Sequence, residues 1–489
     1  MRRLNMRSFS APALDALWWA MEDLQPLFSL LEGFRIEGQG AAETFAICGP
    51  ILEGECNIFV KYAMRIRFYS MTTESNIHTS AYVKVLRATS RSCLLPCLNY
   101  LQCTIGSPLL LFLISPLLRL FCAESPSLEP CDIHTFIDEL GPVAQNLKCL
   151  RLKLPLTNSI LQAVIQAPSL EYLSLHSEND HSLSVTRFFE DLSSSATLKF
   201  LRLAGAMHID NGPSTVPMLS FPNLWDFKLE PKELLAVKNV TSFFRYAKLP
   251  WLAKFKCHIA LIATNETLKP DDLSDFLNTL GQATNFSLHE LDFGRYQKAY
   301  KSKVGPTIAD LPILARFQLL DLRIPFLNPV SPGDIKFMIN SWPDLRHLEL
   351  GSLQHPKLGF EEIVRIANGL PRLRSLRMEF IFRGLPSINE VPVLRHKMGV
   401  LILRLFLAES SIDDPARLDD PMVFARCIDR LFPKLELPNC GFLVPNGFDT
   451  SPWTRIGLIL LQLQGARNDQ ALRVDGTSKS DTESDVSMS

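Results

Sequence analysis

A short pattern, apolar-x-x-apolar-x-apolar, recurs down most of the chain. Clear copies are Leu147/Leu150/Leu152, Leu170/Leu173/Leu175, Leu198/Leu201/Leu203, Leu224/Phe227/Leu229 and Leu252/Phe255/Cys257. They continue as Leu288/Leu291/Phe293, Leu319/Leu322/Ile324, Leu345/Leu348/Leu350, Leu373/Leu376/Met378 and Val400/Leu403/Leu405. A proline announces many of them, as in APSLEYLSL, FPNLWDFKL, LPWLAKFKC, WPDLRHLEL and LPRLRSLRM. Middle residues of successive copies lie 23 to 36 positions apart, mostly 26 to 28. The alternation in the second half of each copy predicts a short strand with one buried face.

Weaker copies stand before this array, at Ala63/Ile66/Phe68, Leu98/Leu101/Cys103 and Leu117/Leu120/Cys122, and one after it, at Phe432/Leu435/Leu437. Between strands lie segments with helix start signals. Pro270-Asp271-Asp272 precedes an i, i+3, i+4 apolar run, Ser331-Pro332 opens GDIKFMINSW, and Asp413-Asp414-Pro415 opens a stretch ending in FARCIDRLF. A polar cap ahead of such spacing is what an amphipathic helix needs. One such unit cannot bury its own apolar face, but stacked neighbours can. The expected architecture is an α/β leucine-rich-repeat solenoid, a horseshoe with a concave parallel sheet and convex helices. The Asn or Cys that closes shorter consensus repeats is replaced by Pro155, Glu178, Ala206 and Ile381, so the repeats are of the irregular kind. Expected boundaries are a helical segment over 1–34, the solenoid with a closing helix over 35–465, and a disordered acidic Ser/Thr tail over 466–489.

Composition narrows the function classes. The 489 residues carry 50 Lys+Arg against 51 Asp+Glu, a net charge of −1, so nothing global points to nucleic acid or to an anionic membrane. The basic start MRRLNMRSFS is followed by an apolar stretch broken by Asp15, Glu22 and Asp23, a poor secretory signal. With 11 scattered cysteines, a reducing cytoplasmic or nuclear setting is expected. The apolar run from Ile105 to Ala123 contains Pro108, Pro116 and Arg119 and reads as two buried strands and a turn rather than a membrane span.

Catalytic and metal patterns are poor, and no enzyme activity or cofactor is expected. Gly38-Gln39-Gly40 lacks the Lys-Ser/Thr of a phosphate loop. Cys93, Cys97 and Cys103 have the wrong spacing for a zinc ribbon and read as structural thiols. His176 and His181, with Glu178 and Asp180 between them, read as a solvated turn. Acidic residues after Ser480 and Thr482 resemble weak acidophilic kinase sites. The stronger candidate is the residue between the last two apolar positions, which points away from the core. Down the ten clear copies it is Arg151, Ser174, Arg202, Lys228, Lys256, Asp292, Arg323, Glu349, Arg377 and Arg404. Seven of these are basic, Arg151, Arg202, Lys228, Lys256, Arg323, Arg377 and Arg404, and they are the candidate partner-binding residues for an acidic or phosphorylated segment. Long charged side chains at exposed strand positions are also an ordinary guard against aggregation, and neighbouring columns dilute the basic one with Asp226, Glu230, Glu290, Asp321 and Glu379.

The first segment, FSAPALDALWWAMEDLQPLFSLL, places Leu14, Leu17, Trp18, Met21 and Leu24 at helical spacing. It resembles the final helix of an F-box in the fungal F-box/leucine-rich-repeat proteins. IFVKYAMRIRFYS resembles that family's "F-x-x-Y-A-x-R-V-R" element, and VLILRLFLAESSIDDPARL with FARCIDRLFPKLEL resembles its near-terminal strand, turn and helix. PWTRIGLILLQLQGARNDQ resembles its last helix. The resemblance implies a substrate-recognition subunit of an SCF-type ubiquitin ligase, with a Skp-type adaptor and a cullin core as partners and Leu14, Leu17 and Trp18 as adaptor-docking positions. The "L-P-x-E-I/L" opening of an F-box does not occur in the sequence, which leaves open a truncated sequence or a scaffold that has lost adaptor binding and has no ligase role. In the second case Leu14, Leu17 and Trp18 would pack on the first repeat.

Overall fold

The computed structural model describes residues 7–37, 44–71, 76–104, 110–124, 141, 144–178, 183–193, 195–209, 218–231, 235–260, 270–294, 307–308, 311–327, 330–352, 358–379, 385–392, 402–406, 421–436 and 452–480. The chain forms two units, Met1–Leu235 with Tyr246–Leu252, and Ala236–Arg245 with Ala253–Ser489.

In the first unit the strands are β1 (Ala20–Met21), β2 (Phe68–Ser70), β3 (Tyr100–Thr104), β4 (Leu120–Glu124), β5 (Cys149–Leu154), β6 (Tyr172–Ser177), β7 (Phe200–Gly205) and β8 (Asp226–Pro231). Each lies parallel to the next in chain order. A parallel sheet in strict chain order requires every connection to cross back the same way, so the connecting segments collect on one face. The helices among them are α1 (Arg7–Trp18), α2 (Gln25–Phe28), α3 (Glu53–Ala63), α4 (Thr79–Thr89), α5 (Leu110–Leu113), α6 (Asn158–Ile165) and α7 (Thr186–Leu192). A hairpin pairs Phe34–Glu37 with Thr44–Ile47.

The second unit repeats the plan. Its parallel strands are β9 (Lys254–Cys257), β10 (Glu290–Asp292), β11 (Asp321–Leu327), β12 (His347–Ser352), β13 (Ser375–Glu379) and β14 (Ile402–Phe406). Its helices are α8 (Val237–Tyr246, to Arg245 in this unit), α9 (Pro270–Ala283), α10 (Pro332–Ser341), α11 (Phe360–Gly369), α12 (Pro421–Leu431) and α13 (Pro452–Ser480). Both units are leucine-rich-repeat solenoids of the helix-containing type.

The middle apolar residue of every clear copy is buried, and these residues share one register level within each unit. Helix aromatics close over them. Phe189 of α7 meets Phe227 edge-on at 6.0 Å, and Phe244 of α8 meets Phe255 edge-on at 5.1 Å. The quadrupoles of such pairs favour this geometry over a face-to-face sandwich.

Strand starts share one backbone device. The carbonyl of Arg67 accepts the N–H groups of both Asn99 and Tyr100, and that of Asn99 accepts both Arg119 and Leu120. The carbonyls of Arg119, Lys148, Glu171 and Lys199 do the same for the strands that follow them, as do Ala253, His289, Leu320 and Arg346 in the second unit. Each forked carbonyl fixes where the next strand begins.

Helix starts follow the sequence signals. Ser331 Oγ accepts from Asp334 N at 3.2 Å while Ser331 N donates to Asp334 Oδ2 at 2.8 Å, a reciprocal cap on α10 with Asp334 buried. Gly359 N donates to Glu362 Oε2 at 2.9 Å on α11. On α3, Glu55 accepts from Leu52 N and Glu32 N, both at 2.8 Å, and these two N–H groups hold its carboxyl below the ordinary range. Asp334→Ala is expected to cost about 1–2 kcal/mol, because it removes a cap and strands the half-buried Ser331 N–H. Chemical denaturation measures this, with exposed Glu361→Ala as the comparison expected within about 0.5 kcal/mol of the parent.

Several expectations need correction. Two of the three weak copies ahead of the array are framed differently, because register and not composition decides which apolar residue faces inward. Tyr69, not Ile66, is level with Leu101, which leaves Phe68 level with Tyr100, and Phe121, not Leu120, follows Leu101. The run from 105 to 123 holds the one-turn helix α5 before β4 rather than two strands, with 105–109 outside the described residues. Among the described residues no helix is long and apolar enough to cross a membrane. The first helix stops at Trp18. Met21 instead pairs with Tyr69, and Leu24 precedes α2. Helix α13 runs past the expected boundary at 465 to Ser480, anchored by Gln464 Nε2 on Leu435 O at 3.0 Å and by Arg467 on Pro433 O at 3.1 Å and on Asp429. Residues 38–43, 179–182, 407–420 and 481–489, which carry the Gly38-Gly40, Asp180/His181, Asp413-Pro415 and Thr482 readings, lie outside the described residues, as do Ile381 and Leu437.

Candidate functional site

The face of each sheet turned away from the helices is lined by the alternate strand positions. In the first unit the predicted column is a true register level: Ser70, Gln102, Cys122, Arg151, Ser174, Arg202 and Lys228 stand side by side. In the second unit Lys256, Asp292, Arg323, Glu349, Arg377 and Arg404 do the same.

Most of this basic column is neutralised by carboxylates on the same or a neighbouring strand. Arg202 Nε donates to Glu230 Oε2 at 2.8 Å, and Lys228 lies 3.5 Å from Asp226. Arg323 lies 3.6 Å from Asp292 and Arg377 lies 3.1 Å from Glu349. One level away, Lys254 meets Glu290 at 3.2 Å and His347 meets Asp321 at 3.7 Å. Burial pushes the Asp321 carboxyl up, against the pull of His347. In the second unit the open face is therefore a lattice of cross-strand ion pairs.

The first unit differs because the level on the other side of its column is aromatic and apolar. Phe68, Tyr100, Leu120, Cys149, Tyr172 and Phe200 share it, all half-buried, and the buried Asp226 ends it beside Phe200. Phe68 and Tyr100 stack with ring centres 4.0 Å apart and 8° between planes, and Tyr172 and Phe200 stack at 4.0 Å and 3°. Trp19 extends the first stack, 6.2 Å from Phe68. The Arg151 guanidinium sits 4.7 Å from the Tyr172 ring centre and Lys228 Nζ sits 5.2 Å from that of Phe200. The sequence reading took only acidic residues such as Asp226 from this level and missed its aromatic members, although the signal was present: it is the residue just before each middle apolar position, and strand alternation puts it on the open face.

At the strand starts Glu171 bridges Lys148 at 2.9 Å and Lys199 at 2.7 Å. Hydrogen bonds from Lys199 and Lys148 hold its carboxyl down to about 2, so the bridge is complete above the ordinary glutamate range and fails as pH falls towards that value. Exposed pairs of this kind contribute little to stability.

The amino-terminal candidates divide. Leu17 is 69% exposed, whereas Leu14 and Trp18 are half-buried. The Trp18 ring lies 4.8 Å from that of Tyr62, and Arg65 ties the same helix down through Asp15 and the carbonyl of Ala11. Cys93 and Cys103 are buried and Cys97 is half-buried, and burial pushes the thiols of the first two up. His176 is half-buried on the third open-face level, beside Lys153, and burial lowers its pKa.

No family model matches the chain, and no curated protein matches it by sequence. Among solved structures it is similar to the Rad7 and Elc1 complex in yeast, at 13% identity and a TM-score of 0.32, covering 76% of this chain and 79% of that one. It is also similar to the leucine-rich repeat-containing protein LegL7 from Legionella pneumophila, at 12% identity and a TM-score of 0.29, covering 66% of this chain and 93% of that one. Likeness at this level adds nothing to the fold read from the repeats themselves.

Proposed function

We propose that this chain is a non-catalytic protein-interaction module of the cytoplasm or nucleus, and that it serves as the substrate-recognition subunit of an SCF-type ubiquitin ligase. The observation that carries the interaction reading is the open sheet face of the first unit, with its half-buried stacked aromatics turned away from the helices. Partly exposed aromatic and Arg side chains in one patch are the usual anchors of protein recognition. The ligase part rests on the F-box resemblance of residues 9–31 and on Leu17, which α1 presents to solvent. In this reading the repeats hold a target, the amino-terminal helix docks the Skp-type adaptor, and ubiquitin transfer belongs to other subunits.

A scaffold without ligase role is the second reading, favoured by the packing of Trp18 on Tyr62 and the tie of Arg65 to α1. Mixing the purified full chain with a recombinant Skp-type adaptor separates the two. Ligase function predicts a complex that Leu17→Asp weakens at least about tenfold, since a buried apolar anchor dominates such interfaces. Failure of the parent chain to bind the adaptor leaves the scaffold reading in place and removes the ligase one.

A further inference from the structure

Of the three cations in the first unit's column, Arg151 stands apart. Arg202 and Lys228 have Glu230 and Asp226, and on the next level Lys153 lies 3.8 Å from Glu124 and 3.5 Å from Glu178. Among the described residues no carboxylate is paired with Arg151, whose contacts are the Tyr172 ring and the Cys149 thiol. Its side chain is exposed. The Tyr172–Phe200 stack flanks it on one side. Beyond Cys122 and Cys149 on the other stands the Phe68–Tyr100 stack, where Tyr100 Oη donates to Gln102 Oε1 at 2.8 Å.

This is an unneutralised guanidinium between two half-buried apolar platforms. A fork stacked on a ring has already lost part of its conformational freedom, so less is lost when it forms a bidentate bond. The surrounding rings exclude water from such a bond and strengthen it. A dianionic phosphate would need a second cation, and the neighbouring ones already have carboxylate partners. A single carboxylate matches the single charge.

We propose that this patch binds an extended segment of a partner protein, placing an Asp or Glu carboxylate on Arg151 and apolar side chains on the flanking ring stacks. The proposal rests on the interaction reading above and names the class of segment recognised.

The test is selection of a display library of short random peptides on the immobilised full chain. Retained peptides should be enriched in Asp or Glu next to aromatic or aliphatic residues. Binding of a selected peptide should fall about tenfold or more for Arg151→Glu and for Tyr172→Ala, with an unchanged circular dichroism spectrum. Arg151→Lys should restore only part of it, because lysine keeps the charge and loses the fork. Peptides retained without acidic enrichment, or bound equally by Arg151→Glu, overturn the proposal and leave the interaction reading standing. Tighter binding when phosphoserine replaces the acidic residue overturns the choice of a carboxylate. A chain that retains no peptide overturns the proposal, and the interaction reading falls with it if cross-linking in cells also captures no protein.

Discussion

Gly205→Ala is expected to destabilise the first unit by at least about 3 kcal/mol, a large effect for the addition of one methyl group. Gly205 closes β7 with φ +95°, in the left-handed half of backbone space. A Cβ there would stand 1.9 Å from the Ser177 carbonyl oxygen and 2.8 Å from its carbon. Both obstacles are backbone atoms of the neighbouring strand, so no rotamer change relieves the clash. Relief requires β6 and β7 to part at their ends, where Gly205 is level with Ser177 and Pro231. Hydrogen exchange resolved by peptide should show protection lost across β6 to β8. Gly54, in α3, meets nothing within 4 Å, so Gly54→Ala should stabilise by a few tenths to about 1 kcal/mol through helix propensity. If the two substitutions have equal effects, the strand-end clash is not real.

Trp342→Ala is the second large change, expected to cost about 3–5 kcal/mol in the second unit. The ring is 2% exposed, and its Nε1 donates to the carbonyls of Leu314 at 3.3 Å and Phe317 at 3.2 Å, in and after the 3-10 turn Pro312–Arg316. Phe337 stands edge-on to it at 5.9 Å. One side chain thus fills a core site and holds the turn of the preceding repeat. Trp342→Phe keeps most of the volume and loses the shared donor, so it should cost about 1–2 kcal/mol. Denaturant melts of both variants separate the contributions. A phenylalanine variant as unstable as the alanine one would mean that the indole's shared N–H donor and fit, not buried volume, decide the site.

The repeat was legible because its signal is local. In each clear copy the middle apolar residue is the one that alternation pointed inward, and the Ser331-Pro332 and Pro270 starts became α10 and α9. Legibility failed where both faces of a strand are apolar. Phe68 and Tyr69 are equally plausible core residues by composition, and only the register with Tyr100 and Leu101 shows that Phe68 belongs outside. The column of Arg151, Arg202, Lys228 and their counterparts falls on one register level in each unit, and the acidic neighbours named from the sequence, Asp226 and Glu230 among them, do dilute it, but which carboxylate meets which cation was not legible. Arg202 and Glu230 are 28 positions apart in sequence and become partners only when β7 and β8 align. Alternation identifies a face, whereas the electrostatics of that face depend on residues a whole repeat away.

The forked carbonyls at the strand starts bear on how such a chain tolerates change. Each fork sets register afresh from the preceding repeat, so residues added in the connection after a strand need not propagate to the next one. That is consistent with middle residues spaced anywhere from 23 to 36 positions apart while their strands stay level. Between a fork and the buried residues that follow it there is no such slack. One residue inserted between Lys199 and Leu203 would turn Leu201 or Leu203 outward and set an open-face side chain against the helices. Lengthening by whole loops is therefore open to this architecture, while single-residue slippage inside a strand is closed to it.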